Sequence, residues 1–182
     1  MVYELAPKRT ALLIIDAQRE YFNEDGALFT PHAGEILANL PRILGGARDS
    51  GTQVIFTRHV NAADGSDAER MADFDDAPSF VEGTKGVEIL KTSGVTTLIV
   101  TGLITQYCSV TTTRHGHDLN YRMVFVVDAN AGPELPDAGF GAVPPRRRPS
   151  CDRRLTGERH RRAVIDTEAT VNALRSQTLH PG

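Results

Sequence analysis

Only two cysteines, Cys108 and Cys151, occur in the 182 residues, and no Cys-x-x-Cys pair is present. A disulfide framework and a zinc site of that type are therefore not expected, and both cysteines read as thiols of a cytosolic protein. Long apolar runs are missing as well. No window approaches the roughly 20 apolar residues of a membrane-spanning helix, and residues 1–9 lack the apolar stretch of a signal peptide. The expectation is a cytoplasmic location and no membrane partner. A basic excess is also absent: the net charge is −3 and the pI about 6.1, so nothing global draws the chain to nucleic acid. Small molecules or proteins are the expected partners. What remains is a 40% hydrophobic, 24% charged composition at a length that suits one domain around a single core, expected to span residues 1–182.

Strand and helix patterns alternate along the chain. Ala11 to Ile15 is an unbroken apolar run ending at Asp16, the mark of a strand covered on both faces. From Ala33 to Ser50, Ile36, Leu37, Leu40, Ile43, Leu44 and Ala47 recur at helical spacing, which predicts one amphipathic helix kinked at Pro41 and stopped by Gly51. Further strands are expected over 53–57, 97–101, 122–127 and 163–165, with helices over 87–93, 106–118 and 167–175. Such alternation implies an α/β fold: three layers, α-β-α, around a mostly parallel, Rossmann-like sheet with right-handed crossovers.

The residues just past each strand are the informative ones, because ligands bind at the carboxyl edge of an open parallel sheet. They are Asp16, then Arg58 and His59, then the turn from Gly102 to Cys108, then Asp128. Cys108 is expected in the first turn of a helix, where unpaired N–H groups and the helix dipole favour a thiolate and could hold an oxyanion. Asp16 could take the proton from sulfur. An equally weighted alternative makes Cys108 a small buried apolar residue and Asp16 a turn cap.

The stretches ALLIIDAQREYF (11–22), TLIVTGLITQYCSVTTTRHGHDLNYR (97–122) and VVDANAG (126–132) resemble the motifs of the isochorismatase-like cysteine hydrolases. Nicotinamidases, N-carbamoylsarcosine amidohydrolases, ureidoacrylate amidohydrolases and isochorismatases belong to that family. The resemblance implies that Asp16 is the general base and Cys108 the nucleophile. It places a cis peptide before Ile104, whose N–H would join that of Cys108 in an oxyanion hole. It also implies substrate contacts from Gln18, Phe22, His59 and Tyr107, no cofactor, and a homo-oligomer. The activity implied is hydrolysis of a C–N bond in a small amide or ureido compound, through a thioester.

Two stretches depart from the pattern. The family carries a lysine between its second strand and the helix before the third; here residues 80–93 read FVEGTKGVEILKTS, as though one strand and its lysine were left out. Lys85 and Lys91 are the nearest lysines, and both read as surface residues; Arg58 or His59 could supply positive charge instead. Between residues 146 and 162 there are eight arginines and two acids. That basic segment, within 144–162, has few apolar residues with which to pack and reads as a solvated loop rather than an RNA-binding strip.

Other polar residues read as structural. His115 and His117, two apart on a helix, do not face one another and make a poor metal pair. Nicotinamidases bind a metal through residues after the second strand; residues 58–64 offer no such set, so no metal is expected and nicotinamide is disfavoured. Ser109 reads as a helix-start donor. The rival to hydrolysis is a non-catalytic remnant of the same fold that binds a ligand or a sister subunit.

Overall fold

The structure, a computed structural model, describes residues 3–25, 29–59, 90–132 and 162–179. The five strands of the main sheet are β2 (Thr10–Ile15), β3 (Gln53–Phe56), β4 (Thr97–Leu103), β5 (Arg122–Ala131) and β6 (Arg162–Ile165). They are ordered β3-β2-β4-β5-β6, and every pairing is parallel. All six residues of β2 and all seven of β4 are buried, which explains why neither strand alternates apolar with charged residues. The strand expected to be left out falls between β3 and β4, at residues 60–89, outside the described residues.

The helices are α1 (Arg19–Phe22), α2 (Ala33–Ile36), α3 (Asn39–Asp49), α4 (Val110–Asp118) and α5 (Thr167–Ser176). One face of the sheet, with Leu12, Ile14, Ile99, Val124 and Val126, packs against Ile36 of α2, Ile43 and Ala47 of α3, and Val171 and Leu174 of α5. The opposite face, with Ala11, Leu13, Ile15, Leu98, Val100 and Phe125, is covered by Leu90, Val95, Val110 and Leu119. Alternate residues of β2 therefore feed separate cores, and the expected three layers result. α3 meets α5 at Gly46, where a Cβ would make ordinary van der Waals contact with a Leu174 methyl, 3.5 Å away.

The single helix expected over 33–50 is two helices. The break falls at residues 37–38, and Pro41 is the third residue of α3. In a first turn the missing N–H costs nothing, since it would have no partner inside the helix. Residues 90–92 are helical, in line with the short helix expected there. At the C-terminal side, the Asp166 carboxylate accepts the Ala169 N–H at 2.8 Å and so caps α5. A small antiparallel pair, β1 (Tyr3–Glu4) with β7 (Thr178–Leu179), was not legible in the sequence pattern. No helix among the described residues is long and apolar enough to cross a membrane.

Candidate active site

Asp16 ends β2 with its backbone turned into the left-handed region, φ 46°, a conformation that Asp tolerates better than most residues. Its N–H donates to Thr57 Oγ1 at 3.1 Å, and the Thr57 hydroxyl donates back to Asp16 Oδ1 at 2.7 Å. The carboxylate is thus held from the neighbouring strand. Its burial is nearly complete, with 6% exposure.

On the other side of Asp16, Gly102 of β4 pairs with Ile15. A Cβ at Gly102 would overlap the Ile15 carbonyl oxygen, and the residue's φ of 121° is one that side chains rarely adopt. Glycine at this position lets the end of β4 close against the end of β2. The chain then passes through a cis peptide between Leu103 and Ile104 and winds into a single π-helical turn, Thr105–Ser109, before α4 begins. The sequence pattern had placed 106–118 in one helix. Within the turn the Ile104 carbonyl accepts the N–H groups of Tyr107 and Ser109 at 3.1 and 3.3 Å.

Cys108 lies in that turn, half-buried and free. The groups that act on its thiol are Asp16 and the backbone N–H groups of Ile104 and Cys108. Burial, followed by the charge of Asp16 and the hydrogen bond to it, pushes the thiol pKa up from 9.0 to about 11, against the opposing pull of the two N–H donors. The expected thiolate is therefore not the resting form at neutral pH. The reason is an order of magnitudes: desolvation and a nearby carboxylate outweigh what two backbone donors supply.

Tyr21 is the residue that sequence reasoning missed. It is buried next to Asp16 and Cys108, and burial, then the charges of Asp16, Cys108 and Glu20, raise its pKa from 10.0 to about 12. Its adjacency to Phe22 was the available signal, but two consecutive aromatics do not reveal which of them faces the site. Phe22 is partly buried and packs on the same core.

The other expected site residues are placed as follows. Gln18 Nε2 donates to the His59 carbonyl at 3.0 Å, and the His59 N–H donates to Gln18 Oε1 at 2.8 Å, so the Gln18 amide holds backbone. His59 and Arg58 lie exposed beyond β3. Tyr107 is half-buried in the π-helical turn. Asp128 does not join the site. β5 continues past it to Ala131, and its carboxylate instead accepts the N–H and hydroxyl of Thr167 at 2.7 and 2.8 Å. Asn130, Ala131 and Gly132 reach the turn in its place. Two steps along β4, from Val100 to Gly102, correspond to five along β5, from Phe125 to Asn130. The Asn130 amide stitches this irregularity by donating to the carbonyls of Val100 and Val126, and Gly132 abuts Gln106 of the turn.

Lys91 is at the wrong edge of the sheet to stand in for the family lysine. Its charge acts on Tyr121, which precedes β5 at the amino edge and whose pKa burial nonetheless raises. Lys85, Cys151 and the arginines from 146 to 161 lie outside the described residues, as does most of the 58–64 stretch. Ser109 is not the helix-start donor expected of it: its hydroxyl is buried with no hydrogen-bond partner among the described residues. His115 likewise buries Nε2 without a partner there, where a surface or satisfied histidine was expected, while His117 faces Asp118 at 3.5 Å.

The profile of the isochorismatase domain matches residues 10–86 and 76–140, a span that includes β2, β4, the π-helical turn and the end of β5. The chain belongs to the isochorismatase family. As an isochorismatase-family protein it is 27% identical over 145 residues to streptothricin hydrolase from Streptomyces noursei, covering 70% of this chain and 51% of that one. The chain thus spans about half the length of that relative. An uncharacterized isochorismatase family protein from Bacillus subtilis (strain 168) is 29% identical over 143 residues, 68% of this chain and 74% of its own. Among solved structures, a cysteine hydrolase from Pseudomonas syringae pv. phaseolicola 1448A superposes with a TM-score of 0.76 at 26% identity, covering 96% of both chains. Of these three, the Streptomyces noursei relative and the Pseudomonas syringae structure are named as hydrolases.

Proposed function

We propose that this isochorismatase-family chain is a cysteine hydrolase that cleaves a C–N bond of a small amide or ureido compound. The observation that carries the reading is the Cys108 thiol under the influence of the buried, Thr57-held Asp16 carboxylate, with the backbone N–H groups of Ile104 and Cys108 acting on the same sulfur. A resting thiolate is not required. Asp16 takes the proton as the sulfur attacks the carbonyl carbon, so charge moves from carboxylate to substrate oxygen in one step. The N–H groups of Ile104 and Cys108 hold that oxygen as it becomes an oxyanion. Asp16 then returns the proton to the leaving nitrogen, the C–N bond breaks, and a thioester remains on Cys108. Water, losing its proton to Asp16, attacks the thioester and releases the acid and the thiol. Isochorismatase chemistry on a vinyl ether needs no cysteine, which leans the reading toward amides.

Substrate contact is assigned to Phe22, His59 and Tyr107, with Gln18 contributing through its hold on the His59 backbone. Self-association belongs to the same proposal, and its support is Phe56, 59% exposed on β3, an edge strand among the described residues. The experiment is a panel of primary amides and ureido acids assayed for released amine or ammonia, with Cys108→Ala as control. Turnover lost in the control, together with an acyl adduct on Cys108 by mass spectrometry, is the expected result.

A second reading, a non-catalytic remnant that binds a ligand or a sister subunit, draws on the same thiol. A cysteine whose pKa is pushed up to about 11 is a poor nucleophile unless Asp16 deprotonates it during attack. A wild-type protein that shows no turnover on the panel and forms no acyl adduct on Cys108 would favour the remnant.

A further inference from the structure

Asp16 and Thr57 are 41 residues apart in sequence and bonded to each other twice. The exchange is directional. The Asp16 N–H donates to Thr57 Oγ1, which spends an oxygen lone pair on the Asp16 backbone and turns the hydroxyl hydrogen toward Oδ1 of the carboxylate, 2.7 Å away. Thr57 is itself fixed, because its N–H continues the β2–β3 ladder onto the Ile14 carbonyl at 3.1 Å. The next tie along, between Gln18 and His59, clamps the same two chain segments a second time. Asp16 makes the first of these ties from a left-handed backbone conformation, with one carboxylate oxygen on Thr57 and its charge acting on the Cys108 thiol.

We propose that Thr57 is the positioning residue of the site, holding the Asp16 carboxylate so that it faces the Cys108 sulfur. This deepens the cysteine-hydrolase reading and rests on it, since it concerns the group read there as the base. The physical argument is rotational. A carboxylate in free rotation about its last torsion presents its lone pairs to sulfur only part of the time. A hydrogen bond from a residue anchored to the adjacent strand selects one orientation and leaves the remaining acceptor positions for the thiol. A hydroxyl suits this task because it accepts from the Asp16 backbone while donating to the Asp16 side chain, which neither a methyl group nor an ammonium can do.

The consequence is readable without a substrate. The titratable groups facing the thiol are Asp16 from the end of β2 and Tyr21 from α1, with Glu20 acting on Tyr21; Arg58 and His59 follow Thr57 and are exposed. The rate of iodoacetamide alkylation of Cys108 against pH therefore reports how firmly Asp16 is held on the sulfur. The experiment compares the full-length wild type, Asp16→Ala, Thr57→Val and Thr57→Ser, each checked for folding by circular dichroism. Asp16→Ala is expected to lower the midpoint by roughly one pH unit or more, because it removes a charge and a hydrogen bond that favour the thiol. Thr57→Val, which keeps the shape and loses the hydroxyl, is expected to lower it in the same direction. Thr57→Ser restores the hydroxyl and is expected to return the midpoint to the wild-type value.

A midpoint in Thr57→Val that equals or exceeds the wild-type one, while Asp16→Ala still lowers it, overturns the positioning role and leaves the hydrolase reading standing. A Thr57→Ser protein as shifted as Thr57→Val overturns it as well, since the effect would then come from the methyl group. If Asp16→Ala leaves the midpoint unmoved, the Asp16–Cys108 couple is absent and both readings fall.

Discussion

Gln18 and His59 grip one another through a closed pair of hydrogen bonds, side-chain amide to backbone amide, at 2.8 and 3.0 Å. The pair mimics one rung of a β-ladder just beyond where β2 and β3 stop pairing. It carries the parallel arrangement of these strands past their ends and into the two segments that bear Asp16 and Thr57.

Removing that rung has a modest and local cost. Gln18→Ala deletes two hydrogen bonds in a partly exposed place, and a loss of about 1–2 kcal/mol is expected from chemical denaturation. The same variant should raise the substrate KM more than it lowers kcat once a substrate is in hand, because His59 moves while Asp16 keeps its own tie to Thr57. An unchanged denaturation midpoint would show that solvent replaces both bonds.

Gly102 offers a harsher test. Any side chain there runs into the Ile15 carbonyl, which is backbone and cannot swing aside, at a φ that is itself unfavourable for an L residue. Gly102→Ala is expected to destabilise the fold by more than about 3 kcal/mol, at the upper end for a single substitution, and to be recovered largely as insoluble protein. A soluble Gly102→Ala protein with a wild-type melting temperature would mean that β4 does not close on β2 as described.

Asp128 separates structural from chemical acids. Its carboxylate serves Thr167 at the start of α5, away from the sulfur. Asp128→Ala should lower stability by about 1–2 kcal/mol, since charge-assisted bonds are lost, and should leave the pH profile of Cys108 alkylation where it was. A displaced profile would return Asp128 to the site.

Alkaline pH gives a linked pair of expectations. Cys108 and Tyr21 are acids whose folded-state pKa values lie above their ordinary ones, 9.0 to about 11 and 10.0 to about 12. Below pH 9 both states keep both protons, and the stability each group contributes is fully present. As pH rises through 9 to 11 the unfolded chain gives up the Cys108 proton while the folded chain retains it, so stability falls; Tyr21 extends the fall from 10 to 12. Denaturation midpoints measured across pH 8 to 11 should decline in the wild type and less steeply in Cys108→Ser. Parallel declines in both would place the thiol in water.

Some of this was legible in the chain itself. Buried parallel strands announce themselves as apolar runs, and Ala11 to Ile15 did so because both faces of that strand are covered. The strand pattern put Asp16 and Cys108 just past strand ends, and the family resemblance of the stretches around them implied their roles as acid and thiol. Tertiary structure decided what those ends do. Whether Cys108 is thiol or thiolate depends on the desolvation and the Asp16 charge around it, terms set by neighbours remote in sequence. That Asp128 is turned away, and that Asn130 and Gly132 reach the turn, follows from three extra residues in β5, a register shift invisible to strand periodicity. Thr57 reads as an ordinary strand terminus until β2 and β3 are aligned; then its hydroxyl meets Asp16, because parallel register brings together residues that the chain keeps 41 positions apart.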